Sequence, residues 1–185
     1  MKLGPTPRKA ELLPEGTWAL DAAESQVGFE FRQRRLQTVR GWFGKVDATL
    51  HVGADIGAEA SGTVVADSLD TGSPRRDRRL RGADFLNTDA HPEIAFRTKA
   101  ITPIYPGRIR ALTELTVRGV KREFELTASV KGPTGQVEVG DRLRIEGRVE
   151  LDRRDFGLDA RGSALLGGMG RLVHVVLDVT AVRVT

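Results

Sequence analysis

Apolar and polar residues alternate with a period of two over most of the chain. Val27, Phe29 and Phe31 alternate with Gly28, Glu30 and Arg32, and Val46, Ala48, Leu50 and Val52 with Asp47, Thr49 and His51. After Pro92 the pattern resumes with Ile94 and Phe96, then with Ile109, Ala111, Thr113, Leu115 and Val117. Three further runs follow: Phe124 to Val130, Leu143 to Leu151, and Val173 to Val179. Strict alternation predicts strands with one apolar and one wet face. One-sided burial implies antiparallel pairing, because parallel sheets are covered on both faces.

Turn signals separate these runs. Arg118-Gly119 falls between two alternating segments and predicts a hairpin, with Gly119 free to take a positive φ. Gly132-Pro133-Thr134-Gly135 is a second turn signal. The stretch from Ser73 to Ala90 breaks the alternation; Ser73 as N-cap and Pro74 at the first helical position predict a short helix. Leu80, Phe85 and Leu86 would anchor it to an apolar surface. Residues 160–170 are small and Gly-rich and are expected to form a mobile loop. Eight or so strands in sequential hairpins leave two raw edges unless the sheet closes. The expected fold is therefore all-β: an eight-stranded antiparallel up-and-down barrel with a short helical cover, a sandwich being the competing architecture. A tail over 1–16 and a single barrel domain over 17–185 are the expected organisation.

Composition narrows the chemistry. The 185 residues suit one domain with a sizeable core. Cysteine is absent, which removes disulfide, thiolate and iron–sulfur chemistry. His51, His91 and His174 are far apart in sequence, and no metal site or cofactor is expected. No apolar run reaches the ~20 residues of a membrane-spanning helix. The amino-terminal segment, broken by Pro5 and Pro7, lacks the apolar stretch of a secretory signal, so a cytoplasmic location is expected. A net charge of +4 with interleaved acids and bases gives little support to nucleic-acid binding. Aromatic residues are few and mostly on inward faces, which leaves few stacking platforms for bases.

Five blocks carry a resemblance. Trp18 to Phe29, Thr38 to Ala48, Asp67 to Gly72 continuing through Arg76-Asp77 to Phe85 and His91 to Phe96, Leu115 to Arg122, and Arg154 to Leu158 follow one another as in YceI-like proteins, which the chain resembles over about residues 17–183. That resemblance implies an extended lipocalin-like barrel, usually dimeric. It also implies binding of long apolar molecules inside it, such as polyisoprenoids, isoprenoid quinones or fatty amides. One departure is Glu24 before Ser25, where the family usually has His.

The expected ligand is thus a long-chain apolar small molecule, held without catalysis for carriage or storage by a homodimer. Candidate lining residues are Phe29, Phe31, Phe96, Leu115, Val117, Phe124, Leu126, Ile145 and Val149, with Leu80 and Phe85 from the helical cover. Small residues among them (Ala48, Ala111, Ala128 and Gly147) would leave room inside. Arg76, Asp77 and Arg79 are candidates for a basic rim that holds a polar head group, since guanidinium suits phosphate and carboxylate. Two alternatives stand beside this reading: a lipid-modifying enzyme using acids or His in the barrel, and a fully packed structural or stress-related barrel.

Overall fold

The structure is a computed structural model and describes residues 13–34, 37–54, 57–105, 107–133, 136–158 and 168–185. Among the described residues, eleven strands form a single sheet: β1 (Gly16–Leu20), β2 (Gln26–Gln33), β3 (Gln37–Phe43), β4 (Val46–Val52), β5 (Ala58–Val65), β6 (Leu69–Asp70), β7 (Glu93–Tyr105), β8 (Arg108–Val117), β9 (Val120–Lys131), β10 (Arg142–Asp152) and β11 (Met169–Arg183). A short helix, α1 (Pro74–Arg81), lies between β6 and β7.

These eleven segments behave as eight staves of a closed antiparallel barrel. β1 and β2 are one broken stave, because β1 pairs with the end of β11 (Trp18↔Arg183) and β2 with its earlier part (Val27↔Leu177). In the same way β3–β4 and β5–β6 are broken staves that pair along each other. The order then runs through β7, β8, β9, β10 and β11 and returns to the first stave. The double-layer alternative is thereby excluded; closure removes the edges that an open meander would expose.

All three breaks fall at one level, and serine side chains patch them. Ser25 Oγ accepts from Thr180 N (3.0 Å) and donates to Thr180 O (3.3 Å), where β1 has ended and β2 has not begun. Ser68 Oγ accepts from Lys45 N (3.1 Å) and donates to Val65 O (2.6 Å). Buried backbone groups need such partners when the ladder is interrupted.

Two plugs close the ends. At one end Leu13, Trp18 and Leu143 are fully buried, with Leu50, Val52, Ile109 and Val130 around them. Trp18 Nε1 donates to Pro14 O at 3.0 Å, and Leu13 beside it is fully buried. At the other end Leu80, Phe85 and Leu86 join Phe31, Val39, Leu69, Val117, Phe156, Leu158 and Met169. Helix α1 therefore fills the end of the barrel beside β6.

Local chemistry accounts for this helix only in part. Pro74 stands at its start as expected, yet Ser73 makes no side-chain cap. The buried Asp77 instead reaches back to Thr71, accepting from its N (3.0 Å) and its Oγ1 (2.5 Å). The β8–β9 hairpin turns on Arg118 (φ 51°) and Gly119 (φ 76°), two successive left-handed residues as a tight primed turn requires. Most of the loop expected over 160–170 lies outside the described residues, but Met169 and Gly170 already belong to β11.

The outer face carries ion pairs, most of them between strands. Glu30 pairs with Arg40 (2.8 Å) and Arg148 (2.9 Å), and Arg144 with Asp178 (2.7 Å) and Glu146 (3.1 Å). Arg40, and then Arg148, hold the Glu30 carboxyl below the usual carboxylate range. Exposed pairs of this kind each stabilise by about 0–1 kcal/mol.

Candidate ligand-binding cavity

Between the plugs the inward faces leave a cavity of about 310 Å³. Its lining is set by the alternation: every second residue of a stave points in. All eleven residues expected to face a ligand line it, from Phe29 and Phe31 on the first stave to Ile145 and Val149 on β10, with Leu80 and Phe85 from the cover. Val27, Phe43, Ile94, Val175, Leu177 and Val179 complete the wall; they share the inward phase but were not among the expected site residues.

The hollow lies where inward side chains are small. Ala48 on β4, Ala60 on β5 and Ala111 on β8 all line it. Phe96 lies over Gly62 and Phe29 over Gly41: a Cβ on Gly62 would stand 2.7 Å from Phe96 Cε1, and one on Gly41 would stand 2.4 Å from Phe29 Cζ. Laid against glycine, these rings leave the axis open. Phe29 in turn stacks with Phe31 (centroids 6.4 Å apart, interplanar angle 3°) and tilts against Phe43 (5.3 Å, 50°).

The cavity is elongated. On β11 its lining includes Met169 and runs on from Val173 to Ala181, the latter stretch alone about 27 Å of strand at ~3.4 Å per residue. Polar side chains in the lining are few: Thr49, Thr98, Thr113, Thr180 and Arg153. Thr98 Oγ1 is committed to the neighbouring stave, where it accepts from Ala60 N at 2.7 Å beside a bulge in β7.

Arg153 is the one charged side chain in this lining, and it too was not among the expected site residues. It continues the inward phase of Leu143, Ile145, Gly147, Val149 and Leu151, and that phase was the available signal. Its guanidinium is buried at the α1 end and donates to the carbonyls of Gly170 (3.0 Å), Leu158 and Met169 (3.4 Å). It ties the 153–156 turn to the start of β11.

The Arg-rich segment lies elsewhere. Arg76, Asp77 and Arg79 do not line the cavity. Arg76 donates from Nε to Thr71 Oγ1 and from Nη2 to Thr71 O, both at 2.8 Å, and with Asp77 it knots α1 to the turn after β6. Arg81 holds Leu69 O and pairs with Asp67 at 3.2 Å. Glu24 is exposed outside the barrel and pairs with Arg142.

The three histidines also lie off the cavity. His51 meets Thr17 Oγ1 at 3.2 Å on the exposed face, His174 faces Glu150 at 3.7 Å, and His91 packs by the β8–β9 turn against Gly119. Among the described residues, no three His, Asp or Glu side chains are grouped to hold a metal ion. Likewise, no described helix is long and apolar enough to cross a membrane.

A closed antiparallel barrel wrapped around a long apolar hollow defines a lipocalin-like binding fold. More particularly, the chain belongs to the YceI-like family, whose domain model matches residues 18–181. It is 29% identical over 157 residues to the UPF0312 protein SAR2769 of Staphylococcus aureus, covering 82% of this chain and 88% of that one. It is 25% identical over 142 residues to the UPF0312 protein VPA0850 of Vibrio parahaemolyticus, covering 76% and 71%. Among solved structures, BcnA of Burkholderia cenocepacia superposes with a TM-score of 0.74 at 18% identity, over 87% of this chain and 98% of that one. A polyisoprenoid binding domain from Saccharophagus degradans gives 0.72 at 15%, over 90% and 98%. These likenesses establish the barrel fold.

Proposed function

We propose that this protein binds one long, flexible, apolar molecule inside the barrel and carries or stores it without chemical change. The observation that supports this most directly is the elongated cavity of about 310 Å³, plugged at both ends and with an almost wholly apolar wall. That volume sits at the lower end of small-molecule sites, about 300–1,000 Å³. Each methylene moved from water into such a space gains about 0.8 kcal/mol. Ten of them gain about 8 kcal/mol before the costs of association, enough for useful affinity without any polar anchor. A polyisoprenoid, an isoprenoid quinone or a fatty amide fits this description, and the Saccharophagus relative bears the first of these in its description.

Native mass spectrometry of freshly purified protein, followed by organic extraction, tests the reading. A co-purifying apolar species, or stoichiometric uptake of one offered in detergent, is the expected result. A chain that takes up none under either condition does not bind lipid in this cavity.

A further inference from the structure

The wall of the barrel is unzipped along one seam. β9 and β10 pair only from Arg144↔Lys131 to Gly147↔Ala128. Both strands run on well past that fork, and each stays fully paired on its other side. β9 holds β8 from Arg108↔Ser129 to Val117↔Val120, and β10 holds β11 from Arg142↔Val182 to Asp152↔Leu172. Each strand is therefore ordered, and what stops past the fork is the hydrogen-bonded pairing between them. At the α1 end the turn at Arg153–Phe156 packs against β9 and closes the gap. A slot remains between that turn and the fork. Phe124 and Leu126 flank it on one side and Val149 and Leu151 on the other; all four are only half-buried and all line the cavity.

The outward residues explain why the seam does not zip. Continuing the four-residue register would set Glu125 opposite Glu150 and Glu123 opposite Asp152. Like charges directly opposite on paired strands are destabilising unless a cation bridges them, as Lys99 bridges Glu114 and Glu123 between β8 and β9 and Arg144 bridges Glu146 and Asp178 between β10 and β11. In the structure each carboxylate turns away from the seam. Glu125 pairs with Arg110 (3.3 Å) and Glu123 with Lys99 on the β8 side, while Asp152 pairs with Arg171 (2.9 Å) and Arg154 (3.1 Å), and Glu150 faces His174. Both axial routes are stopped by buried side chains: Leu13, Trp18 and Leu143 at one end, Leu80, Phe85 and Leu86 at the other.

Resting on the cavity reading above, we propose that the slot between β9 and β10 is a lateral portal, through which an apolar chain slides into the barrel sideways, and that the opposed carboxylates hold it open. Passage would thread the chain between Phe124 and Leu126 on one lip and Val149 and Leu151 on the other.

The chain has no cysteine, so a pair placed across the seam provides the test. Thr127→Cys with Arg148→Cys would lock the strands one position past the fork. Thr116→Cys with Lys121→Cys, across the fully paired β8–β9 wall, is the control. The probe is diphenylhexatriene, an elongated apolar polyene that fluoresces on leaving water, followed by stopped flow. Oxidising the seam pair should slow both uptake and release at least about tenfold, with affinity nearly unchanged, because a gate sets rates rather than equilibria. Reductant should restore the rates, and the control pair should show no change. If the seam pair does not oxidise, Glu125→Lys serves instead: it places opposite charges across the gap and should slow uptake in the same direction. Unaltered rates with the seam cross-linked, or in the Lys variant, would overturn the portal while leaving the cavity intact. Failure of every form, wild type included, to take up the probe would overturn the cavity reading and the portal with it.

Discussion

The ends of this barrel and its waist obey one sequence rule and reach opposite outcomes. Inward positions alternate with outward ones in both. At one end Leu13, Trp18 and Leu143 are buried in one cluster, and at the other Phe31 and Phe85 are buried in a second. At the waist Ala48, Ala60 and Ala111 share the wall with Phe96, Phe124 and Leu126, and the middle stays hollow. An eight-stranded barrel is just wide enough for its own side chains to fill. Side-chain size along the staves therefore decides where it is solid and where it is empty.

Truncation is the strongest way to separate the two regions. Phe31→Ala in the plug should destabilise the ligand-free protein by about 3–5 kcal/mol, the usual range for a buried Phe. Phe124→Ala at the waist should cost less, about 1–2 kcal/mol, because its ring already borders open space and has fewer packing contacts to lose. Urea denaturation of the two variants checks the difference, and equal losses would mean that the waist is as tightly packed as the ends.

Over-filling is the next largest effect. Gly62→Val would drive its Cβ toward Asp47 O and the Phe96 ring and should destabilise by about 1–3 kcal/mol. Ala48→Leu instead grows into the hollow. It should leave stability within about 1 kcal/mol of wild type while weakening binding of an apolar probe about tenfold, a shift of ~1.4 kcal/mol. Denaturation and probe titration of both variants distinguish wall from hollow.

Smaller still is the hairpin that ties β8 to β9. Gly119→Ala, at φ 76°, should destabilise by about 1 kcal/mol without touching the cavity. The outer charges give the weakest effect. Glu30, Glu146 and Asp152 have folded carboxyls below the usual range, held there first by hydrogen bonds from Arg40, Arg144 and Arg154 respectively. Their contribution is complete above the unfolded carboxylate value of about 4 and is lost as pH falls through the lower folded values. A melting temperature flat from pH 7 to 5 and falling below about pH 4 is expected, with Glu30→Gln shallower on the acid side.

Much of this was legible in the chain. Strands with large inward residues declared themselves, as in Phe124 to Val130 and Leu143 to Leu151. β5 did not, because Ala58, Ala60 and Gly62 are too small to mark an apolar face even though they point inward. The short β6 and the glycine-interrupted β3 were equally silent. Ser25 and Ser68 gave no sign of their role, since patching a broken ladder depends on Thr180 and Lys45, which are distant in sequence. Asp77 displaced the expected Ser73 cap for a similar reason: its partner Thr71 is presented by the turn that precedes the helix.

By itself, the sequence determined which side chains face inward and that the sheet has to close, because alternation is local and raw edges are costly. Tertiary structure alone decided how much space remains and where the wall opens. Volume is a sum over eight staves held in register, and the β9–β10 seam depends on which carboxylates that register sets face to face.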